Sequence, residues 1–138
     1  MKQDPLRLEN QLCFPLYAAA KEVVRKYKPF LDEIGLTYTQ YIVMMVLWEE
    51  KSVNVKALGE RLYLDSGTLT PLLKKLEVKK LVKRSRSVED ERNLIVTITG
   101  EGKVLREQAV EIPAKMGACI PISGQEALTL YEILYKLL

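Results

Sequence analysis

Apolar positions along the chain recur with more than one period, and each change of period marks a new element. From about Leu8 to Leu31, the residues Leu12, Leu16, Ala19, Ala20, Val23, Tyr27 and Leu31 recur at spacings near three and four, which predicts a helix. Pro15 lacks a backbone donor and crowds the turn before it, so the regular helix either starts near Cys13 or kinks there. Gly35 closes this segment. Thr37-Tyr38-Thr39-Gln40 fits a capping box opening an apolar helix with Ile42, Val43, Val46 and Leu47, expected at the centre of the core. Asn54 suits the cap of a short helix from Val55 to about Leu62, and Asp65 or Ser66 the cap of another running to about Lys80. Pro71 is tolerated only in the first turn or two of the latter. The tight turn between them, Tyr63 to Thr68, makes the pair a helix-turn-helix.

From Leu81 the period shortens to two. LVKRSRS, the polar VEDER, and NLIVTIT with Leu94, Val96 and Ile98 alternating against Asn93, Thr97 and Thr99 predict a β-hairpin with a charged tip. Thr99 then caps a helix from about Gly100 to Ala118, bent at Pro113 and ended by Pro121. Ser123-Gly124-Gln125-Glu126 is a second capping box, starting a terminal helix so rich in leucine that it needs a partner. The expected fold is mainly α with a small β-hairpin: a winged helix-turn-helix over 35–99, flanked by dimerisation helices over 1–34 and 100–138.

Composition narrows the chemistry. The 138 residues suit one domain, and 48% hydrophobic with 28% charged residues is the balance of a folded globular chain. The longest apolar run, Tyr41 to Trp48, falls far short of the ~20 residues of a membrane span, and MKQDPLRLENQ has no signal-peptide core, so the expectation is a cytoplasmic protein with no membrane partner. With no histidine, Ser/His/Asp and Cys/His nucleophile pairs and imidazole zinc sites are excluded. Cys13 and Cys119 are too few for a thiolate metal cage, and no glycine-rich phosphate loop is present. No cofactor, no metal and no enzymatic activity are expected.

Charge is uneven. The net value is only +3, yet residues 66–86 hold Lys74, Lys75, Lys79, Lys80, Lys83, Arg84 and Arg86 against Glu77 alone, a patch that attracts a polyanion. A recognition helix presents its N-terminal residues to base edges in the major groove, a role that suits Ser66, Thr68 and Thr70, with Lys74 and Lys75 further along. A hairpin tip carrying Arg84, Arg86 and Arg92 suits insertion into a narrow minor groove, with Asp90 orienting the Arg92 guanidinium.

The run LYLDSGTLTPLLKKLE followed by KRSRSVEDERN resembles the recognition helix and wing of the MarR family of bacterial transcription regulators. LENQLCFPLY and YKPFLDEIGLTYTQY are similar to the organic hydroperoxide resistance regulators within it. The resemblance implies a homodimer that represses an inverted-repeat operator in double-stranded DNA until an organic hydroperoxide oxidises Cys13. It also implies that Tyr27 and Tyr38 of the partner subunit hydrogen-bond that cysteine, with Tyr17 close by. A thiolate reacts with peroxide and a thiol barely does, and a helix start with hydroxyl donors stabilises the thiolate. Some members of the family carry a second C-terminal cysteine that resolves the oxidised sulfur into an intersubunit disulfide, a role that Cys119 suits about as well as that of a bystander thiol. Three other readings stand beside this one: a repressor released by a small phenolic ligand, a thiol peroxidase, and a helical module whose basic patch meets an acidic protein.

Overall fold

The computed structural model describes residues 4–138. A 3-10 turn at Leu8–Asn10 leads into α1 (Cys13–Asp32), α2 (Tyr38–Glu50), β1 (Ser52–Asn54), α3 (Val55–Leu62) and α4 (Ser66–Val78). These are followed by β2 (Val82–Arg86), β3 (Leu94–Ile98), α5 (Gly100–Ala109), α6 (Ile112–Cys119) and α7 (Gly124–Tyr135). The fold is a winged helix-turn-helix between terminal helices.

Of the two possibilities for Pro15, the helix start is the one realised. Cys13 is the first residue of α1, so Pro15 falls in the first turn, where backbone N–H groups have no intrahelical acceptor anyway. Pro29 also lies inside α1. The Thr37–Gln40 capping box forms in full, with Thr37 Oγ1 accepting from Gln40 N and Gln40 Oε1 accepting from Thr37 N. Asn54 caps α3 through Lys56 N and Ala57 N, and Asp65 rather than Ser66 caps α4. Pro71 stands in the second turn of α4, where its missing N–H leaves the Gly67 carbonyl without that intrahelical bond.

Two elements differ from the sequence expectation. The hairpin is part of a three-stranded antiparallel sheet in the order β1-β3-β2, because Ser52–Asn54 pairs with Ile95–Thr97. Three residues are too few to show a period, so this strand had no sequence signal. The single bent helix over 100–118 is instead two helices, α5 and α6, with the break at Val110–Glu111, ahead of Pro113 rather than at it. Pro113 accordingly sits in the first turn of α6, its favoured place.

The core is one cluster centred on α2, whose Tyr41, Val43, Met44, Val46 and Leu47 are buried. Leu58 of α3, Leu69, Leu73 and Leu76 of α4, and Val96 of β3 close over one side. Leu31 of α1 and Ala109, Ile112 and Met116 of α5 and α6 extend the same cluster toward the terminal helices. Two hydrogen bonds seat the start of α5: Thr99 Oγ1 at its cap donates to Lys80 O, in the turn between α4 and β2, at 2.6 Å, and Trp48 Nε1 of α2 donates to Gly102 O at 2.8 Å. No residue of α7 is buried, and Leu128, Leu130, Tyr131, Ile133 and Tyr135 are exposed along it. No helix among the described residues is long and apolar enough to cross a membrane.

Candidate nucleic-acid interface and thiol site

The turn between α3 and α4 is made by Tyr63, which adopts a left-handed conformation (φ 57°), and by Asp65. Gly59 permits it, since a Cβ there would meet the Leu64 carbonyl oxygen at 2.7 Å. The turn presents α4 with Ser66, Thr68, Thr70, Lys74 and Lys75 all exposed, while Leu69, Leu72, Leu73 and Leu76 face the core. The polar face predicted for a recognition helix is therefore the solvent face. A cleft runs from the start of α4 across to Arg92, Asn93 and Leu94 of the hairpin, so helix and wing border one groove.

The wing tip spans 87–93. It is ordered by its own backbone, Ser87 N to Asn93 O at 2.8 Å and Asn93 N to Asp90 O at 2.9 Å. Asp90 Oδ1 accepts from Arg92 N at 3.0 Å and from Arg92 Nε at 3.3 Å, which aims a guanidinium whose side chain is 92% exposed. Arg86 is exposed at the end of β2. Arg84 corrects the expectation. It lies mid-strand opposite Val96, not at the tip, and its Nε and Nη2 donate to Glu77 Oε1 at 3.2 and 3.0 Å. Glu77 Oε2 also accepts the Arg84 backbone N–H at 3.2 Å, and these hydrogen bonds, first from the backbone and then from the side chain, hold the Glu77 carboxyl below the usual carboxylate range. Arg84 thus fastens the wing to α4.

Both cysteines are free and exposed. Cys13 opens α1, and Tyr17, four residues on, shares its helix face; Lys21 Nζ lies 3.5 Å from the Tyr17 hydroxyl. Cys119 is the last residue of α6 rather than part of the following turn. Tyr27 and Tyr38 are brought together elsewhere, with ring centroids 4.9 Å apart, and Tyr41 stands 5.7 Å from Tyr27. Burial first, then the neighbouring Tyr38 and Tyr41, push the Tyr27 hydroxyl up to about 12, and burial raises Tyr38 as well. Both are therefore proton-bearing donors at neutral pH. At a rise of ~1.5 Å per residue Tyr27 lies about 21 Å along α1 from Cys13, so the protomer does not bring this pair to its own cysteine.

Two further side chains position these surfaces and were missed by the sequence reading. Arg61 pairs with Glu49 and Glu50, fixing α3 on the end of α2. Lys79, counted with the cationic patch, instead reaches from the end of α4 to the corner between α1 and α2, where it donates to Gly35 O and to Gln40 Oε1. No spacing rule links residues this far apart.

A tight-turn helix pair backed by a small sheet with a projecting, arginine-tipped wing defines the winged-helix class of transcriptional regulators. Residues 25–108 match the model of the family described as transcriptional regulator SarA/Rot. The chain is 47% identical over 137 residues to the organic hydroperoxide resistance transcriptional regulator of Bacillus subtilis, covering 99% of this chain and 93% of that one. Among solved structures it is similar to AbfR of Staphylococcus epidermidis. The reduced form of AbfR bound to DNA is 38% identical with a TM-score of 0.82, covering 99% of this chain and 96% of that one. Disulfide-formed AbfR is 39% identical with a TM-score of 0.69, covering 96% and 93%. The chain belongs to the MarR-type transcriptional regulators, within the group that holds the organic hydroperoxide resistance regulators and SarA/Rot.

Proposed function

We propose that the chain is a homodimeric repressor that binds an inverted-repeat operator in double-stranded DNA and lets go when an organic hydroperoxide oxidises Cys13. Cys13 carries the reading: an exposed thiol at the first residue of α1, with the expected donor Tyr27 about 21 Å further along that helix and Tyr38, on α2, packed against Tyr27. Only a second copy can supply those donors. The exposed apolar residues of α7, together with Leu12, Phe14 and Leu16 at the start of α1, provide the surface for that copy. In this arrangement 1–34 and 100–138 join the subunits, and 35–99 meets the duplex.

In the reduced dimer, Ser66, Thr68 and Thr70 face base edges in the major groove, Lys74 and Lys75 meet phosphate, and Arg92, held by Asp90, enters the minor groove with Arg86 beside it. Tyr27 and Tyr38 of one subunit donate to the Cys13 thiolate of the other, with Tyr17 alongside. The thiolate attacks the outer oxygen of the hydroperoxide: an S–O bond forms, the O–O bond breaks, and the departing alkoxide takes a proton from water to leave as alcohol. Sulfur has lost two electrons and is a sulfenic acid. The Cys119 thiol of the other subunit then attacks it, forming the S–S bond as the S–O bond breaks and water leaves. The relatives bearing on this are the hydroperoxide resistance regulator and AbfR, the latter solved reduced on DNA and with a disulfide formed. Release follows because a twofold dimer must hold two recognition helices about one DNA turn apart, and misplacing one forfeits its phosphate contacts.

The test is titration of the reduced dimer onto a duplex from its own upstream region, repeated after one equivalent of cumene hydroperoxide, with non-reducing gels. Lost affinity with a covalent dimer band is expected for the wild type, lost affinity without the band for Cys119→Ser, and unchanged affinity for Cys13→Ser. A second reading, release by a bound phenol, is favoured by a cleft of about 310 Å3 between α1 and the α1–α2 corner, lined by Val24, Arg25, Lys28, Leu31, Leu36 and Tyr38. Induction that survives Cys13→Ser would establish it instead.

A further inference from the structure

We propose that Lys79 is the positioning residue that passes a change at the tyrosine pair to the recognition helix. The proposal rests on the redox reading above and adds the route from sensor to DNA.

Lys79 caps the end of α4, its backbone N–H donating to the carbonyls of Glu77 and Lys75, so its side chain moves with the helix. The ammonium does not point away into solvent. It bridges the corner that joins α1 to α2, donating to Gly35 O, where the chain leaves α1 at φ +70°, and to Gln40 Oε1 at 3.1 Å in the first turn of α2. Gln40 is 4% exposed, the buried polar residue of the core among the described residues. Its Oε1 also accepts Thr37 N at 3.0 Å, so both lone pairs of one amide oxygen are used, one by the cap of α2 and one by α4.

Tyr38 lies between Thr37 and Gln40, the two halves of that cap, with its ring against Tyr27. When the thiolate that these hydroxyls serve becomes a sulfenic acid or disulfide, the tyrosines lose their acceptor and the first turn of α2 is free to shift. Apolar packing between α2 and α4 tolerates small sliding, because dispersion has no preferred direction. The Lys79 bridge does not tolerate it, since its bonds are directional and one acceptor is buried. A displaced corner therefore draws the end of α4 with it, and the Glu77–Arg84 link carries β2 and the wing along.

The experiment uses the full-length dimer as wild type, Lys79→Met and Lys79→Arg, each reduced and after one equivalent of cumene hydroperoxide, titrated onto the operator duplex. Loss of Cys13 thiol is counted in parallel, and Trp48 fluorescence in urea reports folding. The ratio of oxidised to reduced Kd is the decisive readout. It should lie in the roughly 5- to 150-fold range of ordinary allosteric coupling for the wild type and Lys79→Arg, and fall below about threefold for Lys79→Met although Cys13 oxidises fully. If the bridge only stabilised the protomer, Lys79→Met would lower the urea midpoint and leave the ratio unchanged, and that result would overturn the proposal. If Lys79→Met does not fold, Lys79→Gln, which keeps a shorter donor, should give a reduced ratio; a full ratio would count against the bridge. A wild type that oxidises without releasing DNA would remove the redox reading, and this inference with it, whereas equal release of wild type and Lys79→Met would remove only the inference.

Discussion

Tyr27 acts at neutral pH as a phenol, because its half-buried site among Tyr38 and Tyr41 disfavours the phenolate and pushes its pKa up to about 12. The consequence for stability has a definite sign. With the folded value above the unfolded value of ~10, the unfolded chain loses its proton first, so stability is intact below pH 10 and declines as the pH rises toward 12. The urea midpoint of the wild type should fall across that window more steeply than that of Tyr27→Phe, and parallel profiles would contradict the burial argument. At the wing, Arg92→Ala should weaken operator binding about tenfold, roughly 1.4 kcal/mol, while leaving the urea midpoint unchanged, since its side chain is 92% exposed and pairs with the neighbouring Asp90. A fluorescence anisotropy titration beside a urea curve checks both halves. Residue types at this scale were legible when their partners were close in sequence. Asp90 and Arg92 are two apart and could be paired on paper, whereas Arg84 was assigned to the tip because its partner Glu77 lies on another element.

At the scale of elements, caps were the most readable features, since a cap is a contact within three or four residues. Thr37–Gln40, Asn54, Thr99 and Ser123–Glu126 all form as expected. Elements defined by a distant neighbour were not readable: β1 exists because Val53 finds Val96, and the break between α5 and α6 precedes the proline that announces it. Gly102 shows how tightly such junctions are built. A Cβ there would lie 2.4 Å from the Leu81 carbonyl oxygen and 2.7 Å from the Ile98 side chain, at the seam between α5 and the sheet. Gly102→Ala should therefore lower stability by about 1–3 kcal/mol, the usual cost of overpacking, despite alanine's better helix propensity. A thermal melt of the reduced protein checks it. Glu77→Gln should loosen the wing by removing the charge that holds Arg84, giving faster hydrogen exchange at the amides of β2 with the amides of α2 unchanged.

At the scale of the molecule, α7 is twelve residues long and buries none of them in its own protomer, too little for a helix to persist in water without packing. Leu130→Asp combined with Ile133→Asp should convert the dimer to a monomer in sedimentation velocity and abolish tight operator binding; a dimer that persisted would place the subunit interface elsewhere. Sequence alone was enough for the order of helices, the helix-turn-helix with its wing, the basic stretch, and the two thiols with nothing histidine-based to serve them, because each is a matter of local period, capping or composition. Only the tertiary structure decided which charges remain available. Lys79 and Arg84 belong to the basic stretch by position, but folding brings Gln40 and Glu77 to them and makes both into links between elements, Lys79 while still exposed. The same folding leaves Cys13 about 21 Å along one helix from Tyr27. Contacts between distant segments depend on how helices stack, and stacking angles and long-range pairings carry no periodic signature along a single chain.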